Sequence, residues 1–200
     1  MIRSVKSARQ GSALLEFALA GSFIFVPLLA GMATVGFQMV EALQVSGLTR
    51  DAGHMLASGT DFAPSDALGN PDPIGLQNQA VLQRIAGSIN LTTSGNAVVI
   101  LSTIQADATT GTPSCIMQLI IGNSSLKTSQ IVTPASGVLL PDGTVNSASA
   151  NDPSLSPLSA FTSAITLQNG QTTYVAETFV STPNFIYSGS SGGIYNRVFF

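Results

Sequence analysis

The sequence predicts an α+β protein in which a long N-terminal transmembrane α-helix precedes a small extracytoplasmic domain with a helix and an antiparallel sheet. Three observations support this class. No residue between Phe17 and Val40 is charged. Dense β-type runs, which are typical of strands, occur much later, at 97–106 and 115–121. Only 8% of all residues are charged, against roughly 25% in ordinary soluble domains.

The uncharged run is long enough to cross a membrane as a helix. From Phe17 to Val40 it would extend about 36 Å at ~1.5 Å per residue, and a hydrocarbon core is about 30 Å thick. A secretory signal has a shorter apolar core, of roughly 7–15 residues. Ala30 and Ala33 nevertheless resemble a signal-peptidase site, so a cleaved signal is an alternative that the sequence leaves open.

The charges predict the orientation of this segment. Arg3, Lys6 and Arg9 precede it, and basic flanks are retained in the cytoplasm. From Glu41 onward nine acids stand against four bases. We therefore expect an inner-membrane, single-pass protein with a cytoplasmic N-terminus and a periplasmic or extracellular C-terminal domain. The acidic balance offers no basic surface for nucleic acid.

The order of the predicted elements follows from periodicity and turn residues. Apolar residues continue at helical spacing to Ala57, which predicts one helix over 12–57 whose outer half packs on the following domain. Residues 58–73 contain three prolines among aspartates and predict a linker. The domain is then 74–200. Within it we predict a helix over 74–89, a long exposed loop over 134–157, a flexible Gly/Ser stretch over 188–193, and strands at 97–106, 115–121, 127–133, 172–182 and 195–200.

Residues that could support catalysis are scarce. The chain has one histidine, His54, and one cysteine, Cys115, too few for a metal site; we expect Cys115 to be a buried core residue and His54 to lie at a surface or helix end. Residues 189–193 match the string of a nucleophile elbow, but no histidine follows to complete a triad. We predict no enzyme activity, no catalytic residue, no metal and no cofactor.

One carboxylate stands at the start of the apolar run. Glu16 lies four residues after Ser12 and is followed by Phe17, and Gly11 ends the basic leader. A carboxylate at the edge of hydrocarbon costs several kcal/mol unless it is paired. A plain anchor gains nothing from such a residue, so the sequence predicts a partner for Glu16.

This arrangement resembles a type IV prepilin signal, in which a short basic leader ending in glycine precedes a glutamate and an apolar helix. The segment through Phe37, Ala42 and 49–52 (Thr-Arg-Asp-Ala) is further similar to TadE-like proteins of the tight-adherence (Tad) pilus system. The resemblance covers about residues 9–57. Members often carry a pair of cysteines in the outer domain, and the single Cys115 departs from that pattern.

The resemblance implies a pilin-like fold and a structural role. It implies that residues 1–11 are a leader, cut between Gly11 and Ser12 by a prepilin peptidase. It implies that Glu16 and Phe17 make an assembly contact, in which Glu16 pairs with the new amine of a neighbouring subunit. The expected partners are the peptidase, other pilin or pseudopilin subunits and inner-membrane lipid. The alternative function is a single-pass, membrane-anchored extracytoplasmic binding module.

Overall fold

In the computed structural model, the description covers residues 5–181 and 192–200, with side chains from residue 15 onward. Of the predicted Gly/Ser stretch 188–193, positions 188–191 lie outside these ranges. The elements follow the order α1, α2, β1, β2, α3, β3 and β4. Their bounds are α1 Val5–Ala57, α2 Pro73–Ala86, β1 Ala97–Ala106, β2 Pro113–Gly122, α3 Ser159–Thr162, β3 Thr172–Ser181 and β4 Gly193–Phe199.

Helix α1 ends at the predicted residue and begins earlier than predicted. It ends at Ala57, but it starts at Val5 rather than Ser12. No proline lies between these two starts, and one glycine, Gly11, costs a helix only about 1 kcal/mol. Pro27 lies inside the helix without ending it, because a proline removes only one intrahelical hydrogen bond.

Helix α2 is shorter than predicted because local capping residues set both of its ends. The carboxylate of Asp72 accepts a hydrogen bond from the Ile74 N–H, and proline occupies the first helical turn. Gly87 follows the last helical residue with φ of 62°, a conformation that stops helical propagation. Ile89, the predicted end, is buried but lies beyond the helix.

Four antiparallel strands form one sheet in the order β2-β1-β3-β4. Strand β1 has the predicted bounds, and β2 extends the predicted strand by two residues at its start and one at its end. Strand β3 begins at the predicted Thr172. Strand β4 begins earlier than predicted, and Phe200 extends its pairing through two backbone hydrogen bonds with Tyr174.

The outer half of α1 packs on the following domain, as predicted, and the structure shows that it covers one face of the sheet. Val45, Leu48, Ala52 and Leu56 belong to the same buried cluster as the sheet residues Val99, Leu101, Ala176 and Val180. The close approach requires a glycine in α1. A Cβ atom built on Gly53 would lie 2.0 Å from the Phe200 ring. The predicted linker, 58–73, contributes the fully buried Phe62 to the same cluster.

Residues 123–171 cover the other face of the sheet, and two predictions are wrong there. Residues 127–133 form no strand, because their N–H groups bond to side chains. The Ile131 and Val132 N–H groups both donate to the Ser129 hydroxyl. The predicted exposed loop, 134–157, buries Val138 and Leu155 against Cys115. A few side chains thus anchor a segment that its composition marked as fully exposed, while most of its residues stay exposed or half-buried.

Candidate membrane-spanning and assembly segment

The inner part of α1 exposes a continuous apolar surface. Phe23 is 80% exposed and Leu43 is 73% exposed, although both are large hydrophobic residues. The same holds all round the helix, for Leu15, Phe17, Leu19, Ile24, Phe25, Val26, Leu28, Leu29, Met32, Val35, Phe37, Met39 and Val40. An apolar surface on every side of a helix is typical of a membrane span.

Two hydroxyl groups within this surface are satisfied inside the helix. The Ser22 hydroxyl donates to the Ala18 carbonyl at 2.8 Å, and the Thr34 hydroxyl donates to the Ala30 carbonyl at 2.7 Å. In hydrocarbon every polar group must find its partner internally. These two hydroxyls are therefore compatible with lipid on all sides.

One helix in the described part of the chain is long and apolar enough to cross a membrane, and it is this one, near the N-terminus. Its exposed apolar part is continuous with a part that belongs to the folded core. Val45 is fully buried only two residues after Leu43. One continuous helix therefore connects the exposed apolar part to the core of the outer domain.

The predicted site residues all lie near the start of α1. Gly11 and Ser12 have helical backbone, and Glu16 and Phe17 follow on the next turn. Residues four apart in a helix occupy the same face at adjacent turns, so Ser12 and Glu16 share one face. Phe17 is 77% exposed. The prepilin resemblance predicts a cut next to Ser12, which here lies within helical backbone.

Sequence reasoning missed a buried carboxylate in the outer domain. Glu177, at the centre of β3, is 1% exposed. It accepts hydrogen bonds from the Ser129 hydroxyl, from the Gln130 N–H at 2.8 Å and from the Tyr195 hydroxyl at 2.6 Å. These donors come from β4 and from the irregular 127–133 segment. Glu177 therefore joins three parts of the chain.

A signal for this carboxylate was present in the strand pattern. Glu177 alternates with Val175 and Phe179, so all three point to the same face of β3. An acid in a series of apolar residues on one face needs hydrogen-bond partners if that face is buried. The sequence indicates which face of β3 Glu177 occupies, but its hydrogen-bond partners lie far away in the sequence.

Two titratable groups of the outer domain have raised pKa values. Burial raises the pKa of the Tyr195 phenol, and the hydrogen bond to Glu177 raises it further. Burial raises the pKa of the Cys115 thiol to about 11. Cys115 is buried in the core, as predicted. His54 is exposed on the last turns of α1, with its ring centroid 4.6 Å from that of Phe200.

A cleft of about 300 Å³ lies beyond the end of α1. Its lining residues combine apolar side chains with hydroxyl-bearing residues and one acidic residue, Asp61. The lining residues are Leu56, Gly59, Thr60, Asp61, Phe62, Thr103, Met117, Leu119 and Tyr174. The volume lies at the lower end of the range for small-ligand sites, roughly 300–1,000 Å³.

Among residues 5–181 and 192–200, no group of three or more His, Cys, Asp or Glu side chains is placed to hold a metal ion. No protein-family model, no curated protein and no solved structure matches this chain.

Proposed function

We propose that this chain is a structural or assembly subunit, a minor pilin or pseudopilin, of a Tad-type pilus for adhesion or secretion. In this proposal α1 is anchored in the inner membrane with the outer domain on the far side. A prepilin peptidase removes residues 1–11 by cutting between Gly11 and Ser12. The rest of the chain stays as the mature subunit, and it catalyses no reaction.

The observation that carries the proposal is the position of Gly11 and Glu16 on α1. Both precede an exposed apolar surface that continues, in the same helix, into a folded domain. A processed subunit of this kind needs an address for the peptidase, a span that packs on lipid or other spans, and a rigid connection to the outer domain. Helix α1 has a candidate for each.

The charge at Glu16 fits this proposal because processing creates a positive charge that Glu16 of a neighbouring subunit can bind. Cleavage leaves a charged amine on Ser12 at the membrane surface. An ion pair between this amine and Glu16 of a neighbouring subunit offsets much of the desolvation cost that each charge carries alone. Other pilin or pseudopilin subunits are therefore the expected partners, together with the peptidase and inner-membrane lipid.

A second candidate function is a membrane-anchored extracytoplasmic binding module. The cleft between Phe62, Met117 and Tyr174 favours it, since it combines apolar walls with hydroxyl groups. This function requires the anchor but no processing. The N-terminus of the mature chain therefore distinguishes the two candidates.

The decisive experiment determines the N-terminus of the full chain in membranes that contain a prepilin peptidase. We expect the mature chain to begin at Ser12. A Gly11→Ala variant serves as the control and should keep its leader, with the outer domain unchanged. A chain that still begins at Met1 would favour the binding module, and one that begins near Met32 or Thr34 would indicate a cleaved secretory signal.

A further inference from the structure

The cleft of about 300 Å³ lies between the end of α1 and the sheet. Leu56, in the last turn of α1, and residues 59–62 after it form one side. The sheet forms the other side, where Thr103 of β1 pairs with Met117 on one neighbouring strand and with Tyr174 on the other. Paired residues of adjacent antiparallel strands lie on the same face, so these three side chains form the floor of the cleft.

Two hydroxyl groups on this floor lack a hydrogen-bond partner. The Thr103 and Tyr174 hydroxyls make no hydrogen bond within residues 5–181 and 192–200. Thr103 is only 6% exposed, and a buried hydroxyl without a partner costs free energy. Because Thr103 lines the cleft, a molecule bound there can supply the missing partner. The floor therefore favours a ligand that carries a hydrogen-bonding atom.

The rest of the lining is mainly apolar and buried. Phe62 is fully buried and Leu119 is 6% exposed, so both present their surface only to the cleft. Covering such surface with an apolar body gains free energy. At about 30 Å³ for each water-sized group, the cleft holds roughly ten non-hydrogen atoms. The ligand is therefore a small molecule with an apolar body.

The charge of the described lining residues is negative. Asp61 is exposed, and one of its carboxylate oxygens accepts a hydrogen bond from the Ala63 N–H at 2.8 Å. Helix α1 ends at Ala57, and the carboxyl end of a helix carries roughly half a negative charge. None of the described residues that line the cleft is a lysine or an arginine. These charges favour a cation over a neutral molecule or an anion.

We propose that the cleft binds a small organic cation, an amine whose apolar body packs on Phe62 and Leu119 and whose ammonium group pairs with Asp61. A polar atom on that body satisfies the Thr103 hydroxyl. The inference deepens the second candidate function and rests on it for the location of the site. It requires neither processing at Gly11 nor assembly.

Tyramine is the test probe, because it combines an aromatic body of this size with a hydroxyl and an ammonium group. Phenethylamine lacks the hydroxyl, para-ethylphenol lacks the ammonium group, and para-hydroxyphenylpropionate has a carboxylate instead. Each probe is titrated into the full chain in lipid nanodiscs, with isotope-labelled methionine methyl groups followed by NMR. The Met117 methyl reports binding in the cleft. The Met39 methyl, on a residue that is 66% exposed in the apolar part of α1, reports partition into lipid.

The first comparison tests the charge. Exposed ion pairs are modest, so we expect para-ethylphenol to bind about threefold and para-hydroxyphenylpropionate about tenfold more weakly than tyramine. Asp61→Asn keeps an acceptor for the Ala63 N–H and should reduce the tenfold ratio to about twofold. Asp51→Asn, which changes an exposed acid of α1 outside the cleft lining, is the matched control and should leave the ratio unchanged.

The second comparison tests the hydroxyl. Thr103→Val keeps the branched shape and should weaken tyramine about fivefold but phenethylamine less than about twofold, because only tyramine has a hydroxyl to lose a hydrogen bond. Thr178→Val is the matched control. It also removes a buried hydroxyl without a partner, but Thr178 lies on β3 outside the cleft lining.

Four results would overturn the inference. These are binding of para-hydroxyphenylpropionate as tight as that of tyramine, unchanged tyramine affinity in Asp61→Asn or Thr103→Val, equal shifts of Met39 and Met117, and no shift of Met117 with any probe. The first would still leave a binding module with a different ligand class. The N-terminus of the mature chain judges the proposed processing separately.

Discussion

The two halves of α1 differ in environment although one unbroken helix contains both. Between Leu15 and Leu43 the apolar side chains are exposed on every side, whereas Val45, Leu48, Ala52 and Leu56 lie in the main core. The hydrophobic pattern of the sequence also differs between the two halves. The inner half is apolar all round, and the outer half places Gln44, Arg50 and Asp51 away from one apolar face. Uniform apolarity indicates lipid or other spans, and a one-sided pattern indicates a folded partner.

The largest expected effect is a difference in stability between two leucine-to-alanine variants, one in each half of α1. Leu48→Ala removes a side chain that is 2% exposed, and such cavities cost about 2–5 kcal/mol. Leu43→Ala changes an exposed position, where effects stay within about 0.5 kcal/mol. Both stability losses can be measured by unfolding the full chain with urea in detergent. Alkylation of the buried Cys115 reports the unfolding. Equal losses would show that the two halves are not in different environments.

The next effect tests the proposed assembly role of the inner half. Glu16→Gln keeps the shape of the side chain and removes its charge, while Glu41→Gln does the same farther along α1. We expect Glu16→Gln to lower co-purification of partner subunits by about tenfold, which corresponds to ~1.4 kcal/mol of binding free energy. Processing after Gly11 and the stability of the outer domain should not change. If both variants assemble equally well, Glu16 takes no part in the assembly contact.

Two glycine substitutions compare a packed position with an open position within the outer half of α1. Gly53→Ala places a methyl group into the Phe200 ring, and such overpacking costs about 1–3 kcal/mol. Gly47→Ala meets no atom within 4 Å and should gain up to about 1 kcal/mol of helix stability. Thermal unfolding in detergent should therefore shift in opposite directions. A shift in the same direction would contradict the contact between α1 and Phe200.

The smallest effect is the pH dependence of stability, and its source is Tyr195 in the sheet rather than a residue of α1. The pKa of Tyr195 is raised in the folded state, above an unfolded value of about 10. Its contribution to stability is therefore complete below pH 10 and is lost as pH rises from there toward the folded pKa. Unfolding should become easier above pH 10, and Tyr195→Phe should flatten this dependence. If Tyr195→Phe leaves the slope of stability against pH unchanged, groups other than Tyr195 cause the dependence.

The sequence by itself determined the elements whose signals are local. Residues 17–40 specify an apolar span, and the helix could be followed to Ala57 because its spacing does not change. Strand β1 was predicted with the correct bounds, and a hairpin to β2 follows from the short connection between them. A prepilin-like Gly11 and Glu16 are also visible in the sequence, since the motif is contiguous.

Only the tertiary structure decided the features that depend on distant partners. Residues 127–133 have a strand-like composition, but Ser129 and Glu177 take their N–H groups and prevent pairing. The same contacts explain why an acid is stable in the middle of β3. The order of the strands likewise depends on pairing between distant segments, since β1 pairs with β3 across about 65 intervening residues. Burial and hydrogen bonding between segments far apart in the chain set these features, and local periodicity does not specify which distant segments become partners.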